Sequence, residues 1–443
     1  MLVASLLVGC SSLESSDLPV PDAYASSLDL PLRPVVPPAQ PVPGAVGHPP
    51  YAEGLSLRDA VRRTIVFSPA VKAAFIEIDA RRGDQVQSAV KPNPELLIEV
   101  ENFAGSKDKS GFDSAEETFS FAQTIELGDK RFKRLQAALL DTSLAGWDYE
   151  TVRVNVATTA AQAFVDVLIA QERFKVLSEF VSIARKTRAS VDARMKGGKA
   201  SPIELDRASV ALARAQALQK GERVRIDAAK RRLSAQWGSQ RVDFGRAIGR
   251  LGNGYVTPQP EVLVALIDNN PALARWGDEI NRRAAQLTLE HAKAIPDVSI
   301  GAGLRRYQEN DSTAMVASVS VPIPIFDRNQ GNIAAAERRV AKAESEHQAT
   351  RNELYATLIE ALGELNVAAT QLNALEKDVL PGAQQAYDKT KIGFDEGKFD
   401  ILSVLDVQRT VFETRLEVLT ARADYEKARV KVEALVGRDL SGM

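Results

Sequence analysis

Residues 94–104 read Pro-Glu-Leu-Leu-Ile-Glu-Val-Glu-Asn-Phe-Ala, and this stretch decides the fold. The apolar side chains of Leu96, Ile98 and Val100 alternate with glutamates, which is the pattern of a β-strand with water on one face only. Three further segments show the same alternation, at about 116–126, 297–306 and 313–323. Short polar loops join the four predicted strands into two hairpins.

The predicted strands have the length of membrane-spanning strands. Each has about 9 to 11 residues, which a tilted strand needs to cross the hydrocarbon layer. Four strands cannot close a barrel, and an open sheet in lipid leaves edge N–H and C=O groups unpaired at a cost of several kcal/mol each. The strand count therefore predicts that further copies of the chain complete the barrel. The alternative is two ordinary soluble hairpins packed on helices.

The helical segments argue against a compact soluble domain. From Gly128 to about Asp192 the chain contains no proline, and a helix of this length extends for about 95 Å at about 1.5 Å per residue. Between Leu354 and Val379, apolar or small residues follow the heptad spacing of a coiled coil: Leu354, Leu358, Ala361, Leu365, Ala368, Leu372, Leu375 and Val379. A single intramolecular hairpin of helices would show the same pattern.

The body of the chain contains an internal repeat. Two segments, 54–257 and 258–437, each contain a helix, a proline break, two alternating segments, a long helix, a Gly-Lys turn and a second long helix. The turns at Gly198-Lys199 and Gly397-Lys398 lie 199 residues apart. Such a repeat predicts a fold made of two copies of one unit, followed by a short tail at 438–443.

The N-terminal segment resembles a lipoprotein leader. Leu7-Val8-Gly9-Cys10 resembles the bacterial lipobox, in which the cysteine becomes the acylated N-terminus. Residues 1–10 are therefore predicted to be a lipoprotein signal peptide, whose lack of Lys and Arg before Cys10 indicates a truncated beginning. Ten prolines from Pro19 to Pro50 predict an extended tether over 11–53. The alternative is the stub of a secretory signal with a chance cysteine.

Composition excludes several classes of function. The 56 basic residues nearly balance the 58 acidic ones, whereas a nucleic-acid-binding protein usually has a basic excess. The single cysteine excludes a disulfide within the chain. The three histidines are scattered, at His48, His291 and His347, and no motif of a hydrolase, metalloprotease or nucleotide-binding enzyme occurs. We expect neither an enzyme nor a bound cofactor or metal cluster.

In its ordered motifs the chain resembles the TolC superfamily of outer-membrane factors, and within it the cobalt-zinc-cadmium type of heavy-metal efflux. The resemblance covers residues 54–437 approximately. The motifs that carry it are Pro92-Asn93-Pro94-Glu95, Glu99-Val100-Glu101-Asn102-Phe103-Ala104-Gly105, Ile125-Glu126-Leu127-Gly128-Asp129-Lys130-Arg131, Val321-Pro322-Ile323-Pro324-Ile325-Phe326-Asp327-Arg328-Asn329-Gln330-Gly331-Asn332 and Asp400-Ile401-Leu402-Ser403-Val404-Leu405-Asp406.

The resemblance implies a mainly α-helical chain with a small β part. Three chains would form a twelve-stranded barrel in the outer membrane, continued into the periplasm by a cylinder of long antiparallel coiled-coil helices. It implies a lipid-anchored homotrimer that conducts solute passively, here heavy-metal cations. Its implied partners are a periplasmic adaptor and a proton-driven resistance-nodulation-division pump of the inner membrane.

The resemblance also implies a gate at the periplasmic tip, near the two Gly-Lys turns. By their spacing from the turn glycines, Glu204, Ser403 and Asp406 fall where relatives carry an acidic ring, although Ser403 replaces an aspartate. Three copies of such acids would concentrate cations at the entrance. Phe394 falls where relatives carry an aromatic constriction. The alternative for these acids is solvated charge at a helix N-terminus, where the helix dipole stabilises it.

Other functions stay open at this point. Within the channel class, the sequence also fits a drug-efflux or type I secretion channel. From another class, a periplasmic adaptor or scaffold lipoprotein would also combine a lipid anchor with a coiled coil. An adaptor would carry one helical hairpin, whereas this sequence predicts two hairpins, each following a pair of membrane-length strands.

Overall fold

The structure, a computed structural model, describes residues 54–249, 251, 258–438 and 440. Cys10, the predicted signal segment and the predicted tether lie outside the described residues. The described part confirms the predicted fold class, a mainly α-helical chain with four strands. Its helices and strands are α1 (Leu57–Phe67), α2 (Pro69–Ser88), β1 (Glu95–Glu101), β2 (Glu116–Ile125), α3 (Lys130–Lys196), α4 (Pro202–Gln236), α5 (Pro260–Val264), α6 (Pro271–Lys293), β3 (Val298–Tyr307), β4 (Ser312–Ser320), α7 (Gln330–Ala374), α8 (Leu380–Asp395) and α9 (Ile401–Val436).

The two halves share one order of elements, with one difference. The first half has α2, the β1–β2 hairpin, the unbroken α3 and then α4, whereas in the second half the long helix is divided into α7 and α8. A π-helical turn, Leu375–Val379, joins these two helices, and Pro381 follows it. Proline cannot donate a backbone hydrogen bond to the preceding turn, and a wider turn accommodates this loss.

The π-helical turn corrects the predicted heptad at its end. Leu358, Leu365 and Leu372 are fully buried in the core formed by α5, α6, α7 and α9, as the heptad predicts. Val379, the last predicted member, is 45% exposed. The π turn contains more residues than an α-helical turn, so after Leu375 the next residue that packs on the core is Leu380, one position later than the heptad predicts.

The four strands form one antiparallel sheet in the order β1-β2-β3-β4. The register aligns Ile98 with Phe119, Phe119 with Leu304, and Leu304 with Met315, so apolar side chains form rows across one face. The four side chains in this row are between 51% and 84% exposed. The sheet therefore presents a wide apolar face that nothing in the described chain covers.

The opposite face of the sheet is polar. It carries four carboxylates, one guanidinium, and serines and threonines of β2, β3 and β4, with Leu97 and Val316 as its larger aliphatic residues. The charged residues are Glu95, Glu99, Glu101, Glu116 and Arg305. β1 ends at Glu101, earlier than the sequence predicted. The residues that follow include Asn102 and Ala104, whose φ angles of 56° and 54° lie in the left-handed region and cannot continue a strand.

Two glycines let the sheet coil tightly. A Cβ atom at Gly303 would overlap the carbonyl oxygen of Phe119, and one at Gly301 would lie 2.5 Å from the Oγ of Ser318. Any larger residue would push β3 away from its neighbours. Gly301 and Gly303 therefore allow the close strand approach that a curved sheet requires.

Where sheet and helices meet, Asp297 holds the two halves together. It lies just before β3 and accepts hydrogen bonds from the backbone N–H of Leu127 (2.9 Å) and from the Nζ of Lys130 (2.6 Å), both in the first half. On the second half, Asn329 begins α7 and donates to Glu290 of α6 at 2.9 Å. These hydrogen bonds hold the starts of α3 and α7 below the sheet, where each helix follows its strand in the chain.

Below the sheet, the helices form two successive rows of four, and α3 runs through both. Near the sheet, α2 packs on α3, α3 on α6 and α6 on α7. Towards the Gly-Lys turns, α4 packs on α3, α3 on α9, and α9 on both α7 and α8, so α7 also extends into the second row. The sheet and both rows are thus open layers. The outer elements are β1 and β4 in the sheet, α2 and α7 in the row near the sheet, and α4 and α8 in the row towards the turns.

By length and composition alone, α3 could also cross a membrane, since it contains a long apolar window. Half of this window is buried inside the protein. Ala163, Phe164, Val167 and Leu168 of α3 belong to a core shared with α1 and the end of α4. Packing in this core accounts for the apolar composition of α3.

Candidate functional site

The two Gly-Lys turns lie at the same end of the molecule, farthest from the sheet. There, five buried side chains from four helices form what we call the tip cluster: Val191 of α3, Ala208 of α4, Phe394 of α8, and Ile401 and Val404 of α9. Gly198 and Gly397 have φ angles of +73° and +80°, which glycine adopts without strain. The structure thus brings the turn regions of both halves together, as the resemblance implied.

Glu204 caps the first turn of α4. Its carboxylate accepts a hydrogen bond from the backbone N–H of Ser201 at 3.0 Å, and the Ser201 hydroxyl accepts one from the Glu204 N–H at 3.4 Å. This reciprocal pair is a capping box. Glu204 is half-buried. One carboxylate oxygen is therefore engaged in holding the helix start, and the charge lies at the positive end of the helix dipole.

Ser403 lies in the first turn of α9, where Asp400 is the N-cap. The Asp400 carboxylate accepts hydrogen bonds from the Ser403 hydroxyl (2.6 Å) and backbone N–H (2.9 Å). These bonds, with the charge of Arg207 on α4, lower the pKa of Asp400. Sequence reasoning did not identify Asp400 as part of the site, although an Asp three residues before a Ser at a helix start is the signal of an N-cap.

Asp406 is the most exposed of the predicted acids. Its side chain is 62% exposed, and one oxygen accepts a hydrogen bond from Arg409 at 2.8 Å, one turn along α9. Arg409 also lies 3.9 Å from Glu413. An exposed pair of this kind contributes little to stability, so the Asp406 carboxylate is available to the solvent at the tip.

Phe394 does not project from the protomer as a constriction residue would. Its side chain is 5% exposed and belongs to the tip cluster. The guanidinium of Arg194 lies 4.4 Å from the centre of its ring, and Arg194 donates to the Phe394 carbonyl at 2.9 Å. The Phe394 ring thus joins the α8 end to α3 in the core of the tip. Arg194, which sequence reasoning missed, is the main polar link between the two turn regions.

The polar face of the sheet is the second region with functional potential. Its carboxylates line β1 and the start of β2, opposite the apolar face. Among the described residues, no group of three or more His, Cys, Asp or Glu side chains is arranged to hold a metal ion. The geometry is that of a charged surface without a built metal site in the part of the chain that the structure describes.

Comparison with known proteins agrees with this architecture. The family model described as outer membrane efflux protein matches residues 61–239 and 262–438. The cobalt-zinc-cadmium resistance protein CzcC of Cupriavidus metallidurans is 34% identical over 368 residues, which are 83% of this chain and 86% of CzcC. The nickel-cobalt-cadmium resistance protein NccC of Alcaligenes xylosoxydans xylosoxydans is 26% identical over 328 residues, 74% of this chain and 72% of NccC.

A solved structure of CusC, described in connection with transmembrane channel formation, has the same fold. It superimposes with a TM-score of 0.73 at 15% identity, covering 90% of this chain and 98% of that one. The two matched segments coincide with the two repeats, and the relatives match over most of their own length. This chain is a member of the outer membrane efflux protein family.

Proposed function

We propose that the chain is the outer-membrane channel of a tripartite, proton-driven efflux system and conducts heavy-metal cations passively to the exterior. The observation that carries the proposal is the sheet: it has an exposed apolar face and two open edges, β1 and β4, and β2, β3 and β4 have the 9 or 10 residues of a membrane-spanning strand. Such a face is stable in lipid, and its edges must be paired there. The chain contributes a pathway and no catalytic step.

Three copies would close the layers. Twelve strands pair every edge when β4 of one chain meets β1 of the next, and the rows of helices close in the same way into a cylinder. Helix α4, at the edge of the lower row, carries an exposed apolar stripe at intervals of seven residues: Ile203, Val210, Ala217 and Val224. A heptad stripe that no residue of the described part of the chain covers supports a coiled-coil contact with a second copy.

The exported solute is proposed from the relatives. The two curated relatives are named for resistance to cobalt, zinc, cadmium and nickel. The polar face of the sheet fits this class of solute, because its carboxylates outnumber its single guanidinium. Carboxylates that line a passage attract cations, and conduction requires that each site bind the ion weakly enough for it to leave.

The helical tip is the proposed entrance, where a periplasmic adaptor and an inner-membrane resistance-nodulation-division pump would connect. Asp406 is exposed there, and Glu204 and Ser403 lie in the first turns of α4 and α9. Phe394 would contribute to the gate by packing within the tip cluster. Three copies of these residues would surround the axis and draw cations to the opening.

The proposed anchor lies outside the described residues. Acylation of Cys10 would attach the chain to the outer membrane, and the proline-rich tether would connect the anchor to α1.

Deletion and complementation test the proposed function. Loss of the gene should lower survival on zinc, cadmium, cobalt or nickel, and a plasmid copy should restore it. Purified protein should also form ion-conducting pores in planar bilayers. Sensitivity of the deletion strain to drugs, but to none of these metals, would contradict the proposed solute, and absence of conductance would contradict the channel.

A further inference from the structure

Arg305 lies at the loop end of the sheet, farthest from the helices. Its guanidinium is the one positive charge on the polar face of the described strands. It contacts three side chains on two other strands: Glu101 of β1 at 3.1 Å, Glu116 of β2 at 2.9 Å and Thr118 of β2 at 2.8 Å. The arrangement uses the fixed geometry of the guanidinium, whose N–H groups point in several directions in one plane.

The contacts leave Glu116 with no free oxygen. Its Oε2 binds Arg305, and its Oε1 accepts a hydrogen bond from Asn102 at 2.7 Å. The side chains of Arg305 and Glu116 are only 26% and 21% exposed. Solvent and salt therefore screen this ion pair less than a pair on an open surface.

The other two carboxylates of the polar face, Glu95 and Glu99, are exposed. They lie on β1, nearer to the helices than the Arg305 cluster. A cation that moves along this face from the helices would meet these carboxylates first and the Arg305 cluster last. Conduction requires that each binding site be weak enough for the ion to leave. Without Arg305, the carboxylate pair of Glu101 and Glu116 at the end of the face would bind a divalent cation and retain it.

We propose that Arg305 is a specificity-determining residue of the exit: by occupying Glu101 and Glu116, it prevents the exported divalent cation from binding there. The inference rests on the proposed function, since it requires that the polar face of the sheet line the passage. In a trimer, three Arg305 clusters would ring the outer mouth. Removal of the guanidinium would convert each cluster into an acidic site.

The test is block of single-channel current by zinc chloride, added to the side of the strand loops, in planar bilayers. Arg305→Gln should be blocked at a Zn²⁺ concentration about tenfold lower than wild type, which corresponds to about 1.4 kcal/mol of added binding. Arg305→Lys, which keeps the charge, should resemble wild type. Unchanged block in Arg305→Gln would overturn the inference.

Arg306→Gln is the matched control. Arg306 is the next residue, lies on the other face, and pairs with Asp311 in the turn at 2.9 Å, so its loss should leave Zn²⁺ block unchanged. Adding Glu101→Gln and Glu116→Gln to Arg305→Gln should restore the block of wild type. Persistent strong block in this triple variant would overturn the assignment of the zinc to these carboxylates.

A second measurement covers the case in which Arg305→Gln does not insert into membranes. The double variant Glu101→Gln with Glu116→Gln leaves Arg305 uncompensated, and its permeability to chloride relative to potassium should rise severalfold. An unchanged permeability ratio would overturn the inference. A wild-type protein that does not conduct would instead contradict the proposed function.

Discussion

Ala317 and Ser318 provide a matched pair for testing which face of the sheet contacts lipid. They are adjacent in β4, both are small and exposed, and they point to opposite faces. Ala317 lies in the middle row of the apolar face, paired with Ala302, which pairs with Phe121. Ser318 lies on the polar face.

Replacing Ala317 with arginine places a charge at the middle of the proposed hydrocarbon layer. Arginine at that depth in a membrane barrel costs about 2–4 kcal/mol per chain, or about 6–12 kcal/mol in a trimer. Ser318→Arg places the same side chain in the wet passage, where the cost should stay within about 0.5 kcal/mol per chain.

The assay is unfolding by urea in lipid vesicles, followed by tryptophan fluorescence and by protease resistance. We expect Ala317→Arg to lose stability by the amount above, or to fail to insert, while Ser318→Arg inserts like wild type. Equal behaviour of the two variants would refute the assignment of the apolar face to lipid. Greater damage from Ser318→Arg would reverse the two faces.

Three further predictions concern the helices. Val210→Glu on the α4 stripe should shift detergent-solubilised protein from trimer to monomer in light scattering, and an unchanged trimer would exclude the stripe from the contact. Gln408 of α9 is 2% exposed, and neither polar atom of its amide has a hydrogen-bond partner in the described part of the chain. In a melting assay, Gln408→Leu should therefore raise the free energy of unfolding by about 1–3 kcal/mol. The same change at exposed Gln371 should alter it by less than about 0.5 kcal/mol. Hydrogen bonds from Ser403 lower the pKa of Asp400 in the folded state, so its stabilising effect is present above the ordinary aspartate pKa and disappears as the pH falls below that value and through the folded one. The melting temperatures of wild type and Asp400→Asn should therefore converge as the pH falls below the ordinary aspartate pKa, and a constant difference would contradict this.

The strands could be predicted because their signal is local. In Leu96, Ile98 and Val100 the period of two depends only on neighbouring residues, and the register of the sheet then places all three on one face. That β2 pairs with β3, which joins the two hairpins into one sheet, was not evident from either hairpin alone. Pairing between distant segments depends on tertiary packing rather than on a local pattern.

The end of the coiled-coil prediction failed for a similar reason. The heptad is correct through Leu375, but the π-helical turn before Pro381 changes the helix phase, so that Leu380 packs on the core instead of Val379. Pro381 indicates that the helix is distorted near this point. It does not indicate how, because a kink and a wider turn are both compatible with the missing backbone hydrogen bond.

At the tip, the sequence located the region better than it assigned individual roles. Glu204 and Ser403 lie in the first turns of α4 and α9 and Asp406 lies one turn further along α9, while their role at a gate stays a prediction. The sequence could not show that Phe394 is buried, since this depends on packing against Val191 of α3, far away in the sequence. Arg194 was missed because a basic residue in the last turn of a helix is ordinarily only a favourable end charge.

We propose that this chain is one part of a membrane barrel completed by identical copies. The most direct measurement is the mass of the purified particle by light scattering, with and without detergent. We expect a detergent-dependent particle containing three copies of the 48.1 kDa chain, and precipitation when detergent is removed. A monomer that stays in solution without detergent would contradict the account.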